Sequence, residues 1–206
     1  MMKVGVLALQ GDFLEHEAML RCLDVDAVQV RKSETMRDLD GLVVPGGETT
    51  TLCRLLEEYQ LYEPLRSVLR SGLPTWGTCA GMILLAQRVN GLDFPTLDAL
   101  DITVERNSYG RQVDSFEADL SVPILGELPF PAVFIRAPIV TDVGAGIEVL
   151  ARLPAPDGSG AEGPPVAVRQ GNVLATSFHP ELTEDSRLHR YFLGIVEAAK
   201  RRTTTK

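Results

Sequence analysis

The sequence predicts an α/β fold, a single three-layer domain with a mostly parallel central sheet, and three observations predict it. Short apolar runs without a helical period recur, among them Val4-Gly5-Val6-Leu7-Ala8-Leu9 and Gly41-Leu42-Val43-Val44. Strands buried on both faces read that way. Amphipathic helical patterns separate these runs in the first hundred residues, the alternation that produces parallel sheets covered by helices. The 206 residues, 45% of them hydrophobic, suffice to fill one core without a disulfide or metal staple.

In chain order, residues 4–9 form the first strand, closed by Gln10-Gly11-Asp12. Asp12 is placed to cap a helix to about Cys22, with Phe13, His16, Met19 and Leu20 on one face. Residues 25–30 and 41–44 are the next strands, the latter ending at Pro45-Gly46-Gly47. Thr49 or Thr50 caps a helix carrying Leu52, Leu55, Leu56 and Tyr59. Another helix follows Pro64, whose fixed φ suits a first helical turn. Residues 72–76 read as a strand and 82–87 as a helix. Beyond about residue 100, segments 132–135, 146–151, 166–169 and 173–178 read as strands joined by turns. The stretch from Pro154 to Pro165, rich in Pro, Gly and Ala, reads as an exposed, mobile loop. Residues 187–199 form a closing helix with Leu188, Tyr191, Phe192, Ile195 and Val196 inward. The domain is thus expected over 1–199, with 200–206 as a flexible tail.

Composition narrows the function. Lys+Arg number 20 against 28 Asp+Glu, a net charge of −8, which repels a phosphate backbone and argues against nucleic-acid binding. No apolar stretch reaches the ~18 residues of a membrane span, and the opening apolar run is too short for a signal peptide. Cys22, Cys53 and Cys79 are odd in number and widely spaced, as reduced thiols in a cytoplasmic protein would be. They form no C-x-x-C pair, and His16, His179 and His189 do not join them at ligand spacing, so no metal site is expected.

The sharpest chemical signal is Gly77-Thr78-Cys79-Ala80-Gly81, between an expected strand and an expected helix. It is the cysteine counterpart of the G-x-S-x-G nucleophile elbow, where a tight turn projects the central side chain into a cleft. The start of the following helix offers free N–H groups that favour a thiolate. A thiol nucleophile needs a base and a group to orient it. His179-Pro180-Glu181 supplies both at the end of a strand, where residues i and i+2 point to one side. His16 and His189 lie within helical patterns and read as structural. The Gly46-Gly47 pair leaves backbone N–H groups open to a ligand, a natural oxyanion hole, with Glu48 and Thr49 adding polar groups. Gly158-Ser159-Gly160-Ala161-Glu162-Gly163 spells a dinucleotide-site string, but Pro164-Pro165 follows it, so it reads as loop composition.

These residues resemble the class I-like (triad) glutamine amidotransferases, whose domain is flavodoxin-like, and more narrowly the glutaminase subunits of pyridoxal 5′-phosphate synthase. The resemblance rests on Val4 to Phe13 with its Leu9-Gln10-Gly11-Asp12, on Pro45-Gly46-Gly47-Glu48-Thr49-Thr50, and on the elbow through Met82. It extends over Thr103-Val104-Glu105-Arg106-Asn107-Ser108-Tyr109-Gly110-Arg111-Gln112, Phe134-Ile135-Arg136-Ala137-Pro138 and Ala175 to Leu182, nearly the whole chain. Position 49 is Thr where the family commonly has Ser, which keeps the hydroxyl.

The resemblance implies hydrolysis of L-glutamine to L-glutamate and ammonia. Cys79 would attack the side-chain amide, His179 shuttle the proton and Glu181 orient His179. Gly47, Glu48, Thr49, Arg106, Ile135 (through its backbone) and Arg136 would bind substrate, with Gly46 and Gly47 forming the oxyanion hole. Gln10 would couple the site to a partner, a (β/α)₈-barrel synthase that uses the ammonia to build pyridoxal 5′-phosphate. That compound is a product of the complex, so the resemblance implies no cofactor for this chain. Two other readings fit the elbow alone: another α/β cysteine hydrolase, and a non-enzymatic cysteine redox sensor.

Overall fold

In Leu42-Val43-Val44 successive side chains leave the strand on opposite faces, and all three are fully buried. Val43 packs with Val4, Val6, Trp76 and Leu174 against Leu20, Leu188 and Phe192. Leu42 and Val44 pack on the other face with Leu52, Leu56, Leu65 and Leu84. A strand buried on both sides needs a helical layer on each, and the computed structural model, which describes residues 1–106, 115–154 and 162–204, has that three-layer form.

The strands are β1 (Lys3–Leu7), β2 (Asp26–Val30), β3 (Gly41–Val44), β4 (Thr75–Thr78), β5 (Ala86–Asn90), β6 (Leu100–Glu105), β7 (Ser115–Leu120), β8 (Phe130–Ile135), β9 (Ile139–Val143), β10 (Glu148–Pro154), β11 (Glu162–Gln170) and β12 (Val173–Thr176). The α-helices are α1 (Phe13–Cys22), α2 (Thr49–Glu58), α3 (Tyr62–Arg70), α4 (Ala80–Leu85) and α5 (Arg187–Thr204). The central sheet has the order β10-β11-β12-β4-β3-β1-β2. Five strands, from β12 to β2, run parallel, while β10 and β11 are antiparallel additions at one edge. Two small sheets, β5-β6-β9 and β7-β8, flank it. The C-terminal ends of β1, β3 and β4 lie side by side, the usual place for a site in an open α/β sheet. Among the described residues no helix is long and apolar enough to cross a membrane.

The structure corrects several boundaries, each for a local reason. The strand expected at 72–76 is Thr75–Thr78, because Gly72 ends α3 instead of opening a strand. Gly72 has φ 87, its N–H bonds Leu69 O and the Leu73 N–H bonds Val68 O, a Schellman closure. The helix expected at 82–87 is Ala80–Leu85, and β5 begins at once at Ala86. Glu48, not Thr49 or Thr50, caps α2: its carboxylate accepts from the N–H groups of Thr50 and Thr51.

Pro154 closes β10, and Glu162 to Pro165 belong to β11 rather than to a loop. The two prolines are accommodated where the β10–β11 register slips. The rest of that expected loop, residues 155–161 with most of the dinucleotide-like string, lies outside the described residues. Helix α5 runs on to Thr204, through most of the segment expected as a tail. Lys200 pairs with Asp40, and Arg202 with Asn172, which ties those extra turns to the body.

Candidate active site

Cys79 stands alone between β4 and α4, with φ 48 and ψ −104. This is an unfavourable backbone conformation for a side-chain-bearing residue, costing on the order of 1–3 kcal/mol, and it persists only where surrounding structure enforces it. The enforcement is visible. The Cys79 N–H bonds Thr176 O at 2.8 Å, and α4 is pressed against the end of β3. A Cβ on Gly81 would stand 1.9 Å from the Val44 carbonyl oxygen, and one on Gly77 2.6 Å from the Gly81 backbone. The two glycines are therefore required by close packing, as the G-x-C-x-G pattern implied. Gly81→Ala is expected to push α4 off β3, to lower the melting temperature and to displace the thiol; thermal melts and the rate of Cys79 alkylation check this.

His179 follows β12, and its N–H bonds Val133 O on β8 at 2.8 Å. Pro180 then opens a 3₁₀ turn over Pro180–Leu182 that brings Glu181 back beneath the imidazole. The pair therefore meets through this turn and not through the extended backbone expected from its i, i+2 spacing. His179 Nδ1 lies 2.8 Å from Glu181 Oε1 and 3.3 Å from Asp12 Oδ2, and the imidazole shares its cavity with Cys79. Asp12 makes no side-chain cap on α1; its carboxylate faces His179 instead.

The electrostatics follow from this packing. Burial disfavours a charged His179, but bonds to Asp12, Cys79 and Glu181 outweigh it and raise its pKa well above the ordinary value. Burial likewise opposes charge on Glu181, yet His16 and His179 hold it far below the usual carboxylate range. The Glu181 stabilisation is thus present above its ordinary value near 4.5 and is lost as pH falls below it. The His179 stabilisation is present below its ordinary value of 6.5 and is lost as pH rises through the elevated one. Between pH 6 and pH 3 the wild-type melting temperature is therefore expected to fall more steeply than that of Glu181→Gln, a comparison that thermal melts across pH can make.

The thiol and imidazole open into a cavity of about 290 Å³, lined also by Gln10, Gly11, Asp12, Gly47, Glu48, Thr49, Ile83, Arg106, Ile135 and Arg136. Cys79 Sγ lies 3.8 Å from Ile135 O. Arg106 is held by Gly91 O at 3.1 Å and Thr50 Oγ1 at 3.3 Å, with Glu48 Oε1 3.7 Å away. Burial is the largest single influence on Glu48 and pushes its pKa up, but the bonds from Thr51 and Thr50 together outweigh it and hold the pKa down to about 2. Arg136 has φ 43 at the cavity rim.

The glycine loop differs from an open oxyanion hole. The Gly46 N–H donates to Thr78 Oγ1 at 3.0 Å, and the Glu48 N–H to Gln10 Oε1 at 2.8 Å. The Gly46 carbonyl accepts from the Asp12 N–H. In this conformation the Gly46 amide is thus already occupied.

All the residues expected at the site from position 10 to 181 line this cavity or the layer behind it. Residues 107–112 of the Arg106-Asn107-Ser108-Tyr109-Gly110-Arg111-Gln112 stretch lie outside the described residues. Sequence reasoning missed Asp12 beside His179, and it missed His16, Thr78 and His189 behind Glu181. The one metal-ligand grouping among the described residues is Asp12, His179 and Glu181, and His179 Nδ1 there is already hydrogen-bonded to Glu181.

Comparison with known proteins places the chain among glutamine amidotransferases. Residues 6–198 match the SNO glutamine amidotransferase family. A protein of Pelotomaculum thermopropionicum named pyridoxal 5′-phosphate synthase subunit PdxT is 56% identical over 93% of this chain and 94% of its own. One of the same name from Herpetosiphon aurantiacus is 53% identical over 94% of this chain and 100% of its own. A crystal structure described as a glutamine amidotransferase superposes with a TM-score of 0.84 at 52% identity, covering 94% of this chain and 98% of that one. A more distant crystal structure, of a Thermoplasma acidophilum protein at 23% identity and TM-score 0.63, covers 100% of this chain and 98% of that one and shares the fold.

Proposed function

The chain belongs to the SNO glutamine amidotransferase family, and from that premise we propose how its residues divide the work of a glutaminase. The protein is the glutamine-hydrolysing subunit type of pyridoxal 5′-phosphate synthase, releasing ammonia for that synthesis. The rival readings, a different cysteine hydrolase or a redox sensor, give way to this membership.

In the proposed sequence, Cys79 passes its proton to His179 and the thiolate attacks the side-chain amide carbon of glutamine. The negative oxygen of the tetrahedral intermediate is met by the Gly46-Gly47 loop once an amide turns toward it. His179 gives its proton to the leaving nitrogen, the C–N bond breaks, and ammonia departs from a γ-glutamyl thioester. Water then attacks the thioester, His179 takes its proton and returns it to sulfur, and glutamate leaves. Glu181 keeps the imidazole oriented and stabilises its charged form. Arg106 and Arg136 suit the α-carboxylate of a free amino acid, with Gly47, Glu48, Thr49 and the Ile135 carbonyl around the rest.

The observation that carries this reading is Cys79 at a positive-φ elbow, sharing one cavity with His179, whose Nδ1 is held from behind by Glu181. Gln10 bonds directly to the Glu48 N–H, which supports a role in coupling the loop to a partner. We take that partner to be a (β/α)₈-barrel synthase subunit that receives the ammonia. A cytoplasmic location is in keeping with three free thiols. Glutamate and ammonia release from L-glutamine, measured with and without the purified synthase subunit, tests the reading. Equal release of both, rising when the partner is added, is expected; no glutamine hydrolysis with the partner bound contradicts it.

A further inference from the structure

Behind the triad lies a second buried layer that the reaction sequence does not use. His16 on α1, Thr78 at the end of β4 and His189 on α5 are each fully buried. His16 Nδ1 is 3.1 Å from His189 Nε2. His16 Nε2 is 3.2 Å from Thr78 Oγ1 and 3.2 Å from Glu181 Oε2. Glu181 Oε1 is taken by His179, whereas Oε2 is buried with no hydrogen-bond partner among the described residues. The group facing that buried oxygen is the His16 ring.

The protons on this chain of rings can be assigned from the network. His189 Nδ1 is buried without a hydrogen-bond partner. A bare ring nitrogen tolerates that position better than an N–H does, so the His189 proton sits on Nε2 and is donated to His16 Nδ1. Burial, then the charge His16 carries when protonated, also disfavour a charged His189, with Glu181 acting the other way. His16 then carries its proton on Nε2, aimed into the gap between Thr78 Oγ1 and Glu181 Oε2. Trp76 closes the pocket edge-on, 5.5 Å from His16. Glu181 and His189 are the titratable groups that face His16; on its own helix, Glu17 turns away to Arg21 and Gln29.

A carboxylate held through one oxygen alone is free to rotate away from His179. An N–H at the second oxygen fixes its plane and favours its charge. The same N–H bonds Thr78, whose hydroxyl oxygen receives the Gly46 N–H. We infer that His16 is a positioning residue of the glutaminase reaction: its Nε2–H fixes Glu181 against His179 and, through Thr78, steadies the Gly46 end of the glycine loop. The inference rests on the Cys79-His179-Glu181 reading.

The test compares His16→Gln with His16→Asn in the full chain bound to its synthase subunit. The Gln amide nitrogen can take the place of Nε2, while the shorter Asn reaches only the Nδ1 side. His16→Asn is expected to lower kcat about tenfold or more with KM within about twofold, and His16→Gln to stay within about threefold of wild type. Alkylation of Cys79, followed peptide by peptide, should need a higher pH in the Asn variant and not in the Gln variant. Full kcat in a folded His16→Asn protein, or equal losses in both variants with unchanged alkylation profiles, overturns the inference. Independently of any variant, nitrogen NMR of the wild-type imidazoles should place the His16 proton on Nε2, and an Nδ1–H tautomer also overturns it. Cys79→Ala in the same assay separates the two readings, since activity surviving there sinks the triad itself.

Discussion

Cys79→Ala is expected to reduce glutamine hydrolysis by about 10⁴-fold or more, leaving the fold and the synthase interaction in place. No other side chain in the cavity can replace the thiol. Glu48 is committed to capping α2, and Thr49 is not placed at the elbow where His179 can take its proton. The backbone strain at position 79 is enforced by the Thr176 carbonyl and by the Gly77 and Gly81 packing, not by the sulfur. The variant should therefore melt within a few degrees of wild type. Steady-state glutamate release beside thermal melts checks both parts, and hydrolysis surviving in the variant would place the nucleophile elsewhere.

Glu181→Ala is expected to cost in both stability and rate. The carboxylate is buried between His16 and His179, and removing one partner of a buried ionic pair typically costs about 3–5 kcal/mol. For a chain of this length that corresponds to a drop of roughly 10 °C in melting temperature. Losing the group that orients the base lowers kcat by about 10³–10⁴-fold in comparable triads. The rate loss should appear in kcat more than in KM, because Glu181 touches the imidazole and does not line the cavity. Melting curves and glutaminase kinetics on the same preparation read both effects. An unchanged kcat would remove Glu181 from the triad.

Strands β1 and β3 were legible because both faces of each are buried, which leaves an unbroken apolar run in the sequence. Strands β5, β6, β7 and β9 were not assigned. Their burial alternates or is slight, and they become strands only by pairing, β5 parallel to β6, β6 with β9 and β7 with β8. Gly72 misled in the same way: a glycine before an apolar residue fits a strand start, while its actual role, closing α3, depends on bonds back to Val68 and Leu69.

The site divides along a similar line. Cys79, His179 and Glu181 were legible because a thiol between two glycines and a histidine two residues before a carboxylate are local patterns with few other uses. His16 reads as structural because nothing near it in sequence is chemical. Its significance comes from Thr78, Glu181 and His189, which are 62 to 173 residues away and meet it only in the fold. Asp12 has the composition of a helix cap, and only the approach of His179 reveals its other direction. Likewise the occupied Gly46 amide depends on Thr78, thirty-two residues on.

The central claim is a γ-glutamyl thioester on Cys79, and acid-quenched mass analysis of the enzyme turning over glutamine in the presence of the synthase subunit tests it most directly. The account predicts a glutamyl adduct confined to the peptide containing Cys79, increased in His179 variants that acylate but hydrolyse slowly, and absent from Cys79→Ala. An adduct on another residue, or undiminished glutamine hydrolysis by Cys79→Ala without any adduct, would contradict it.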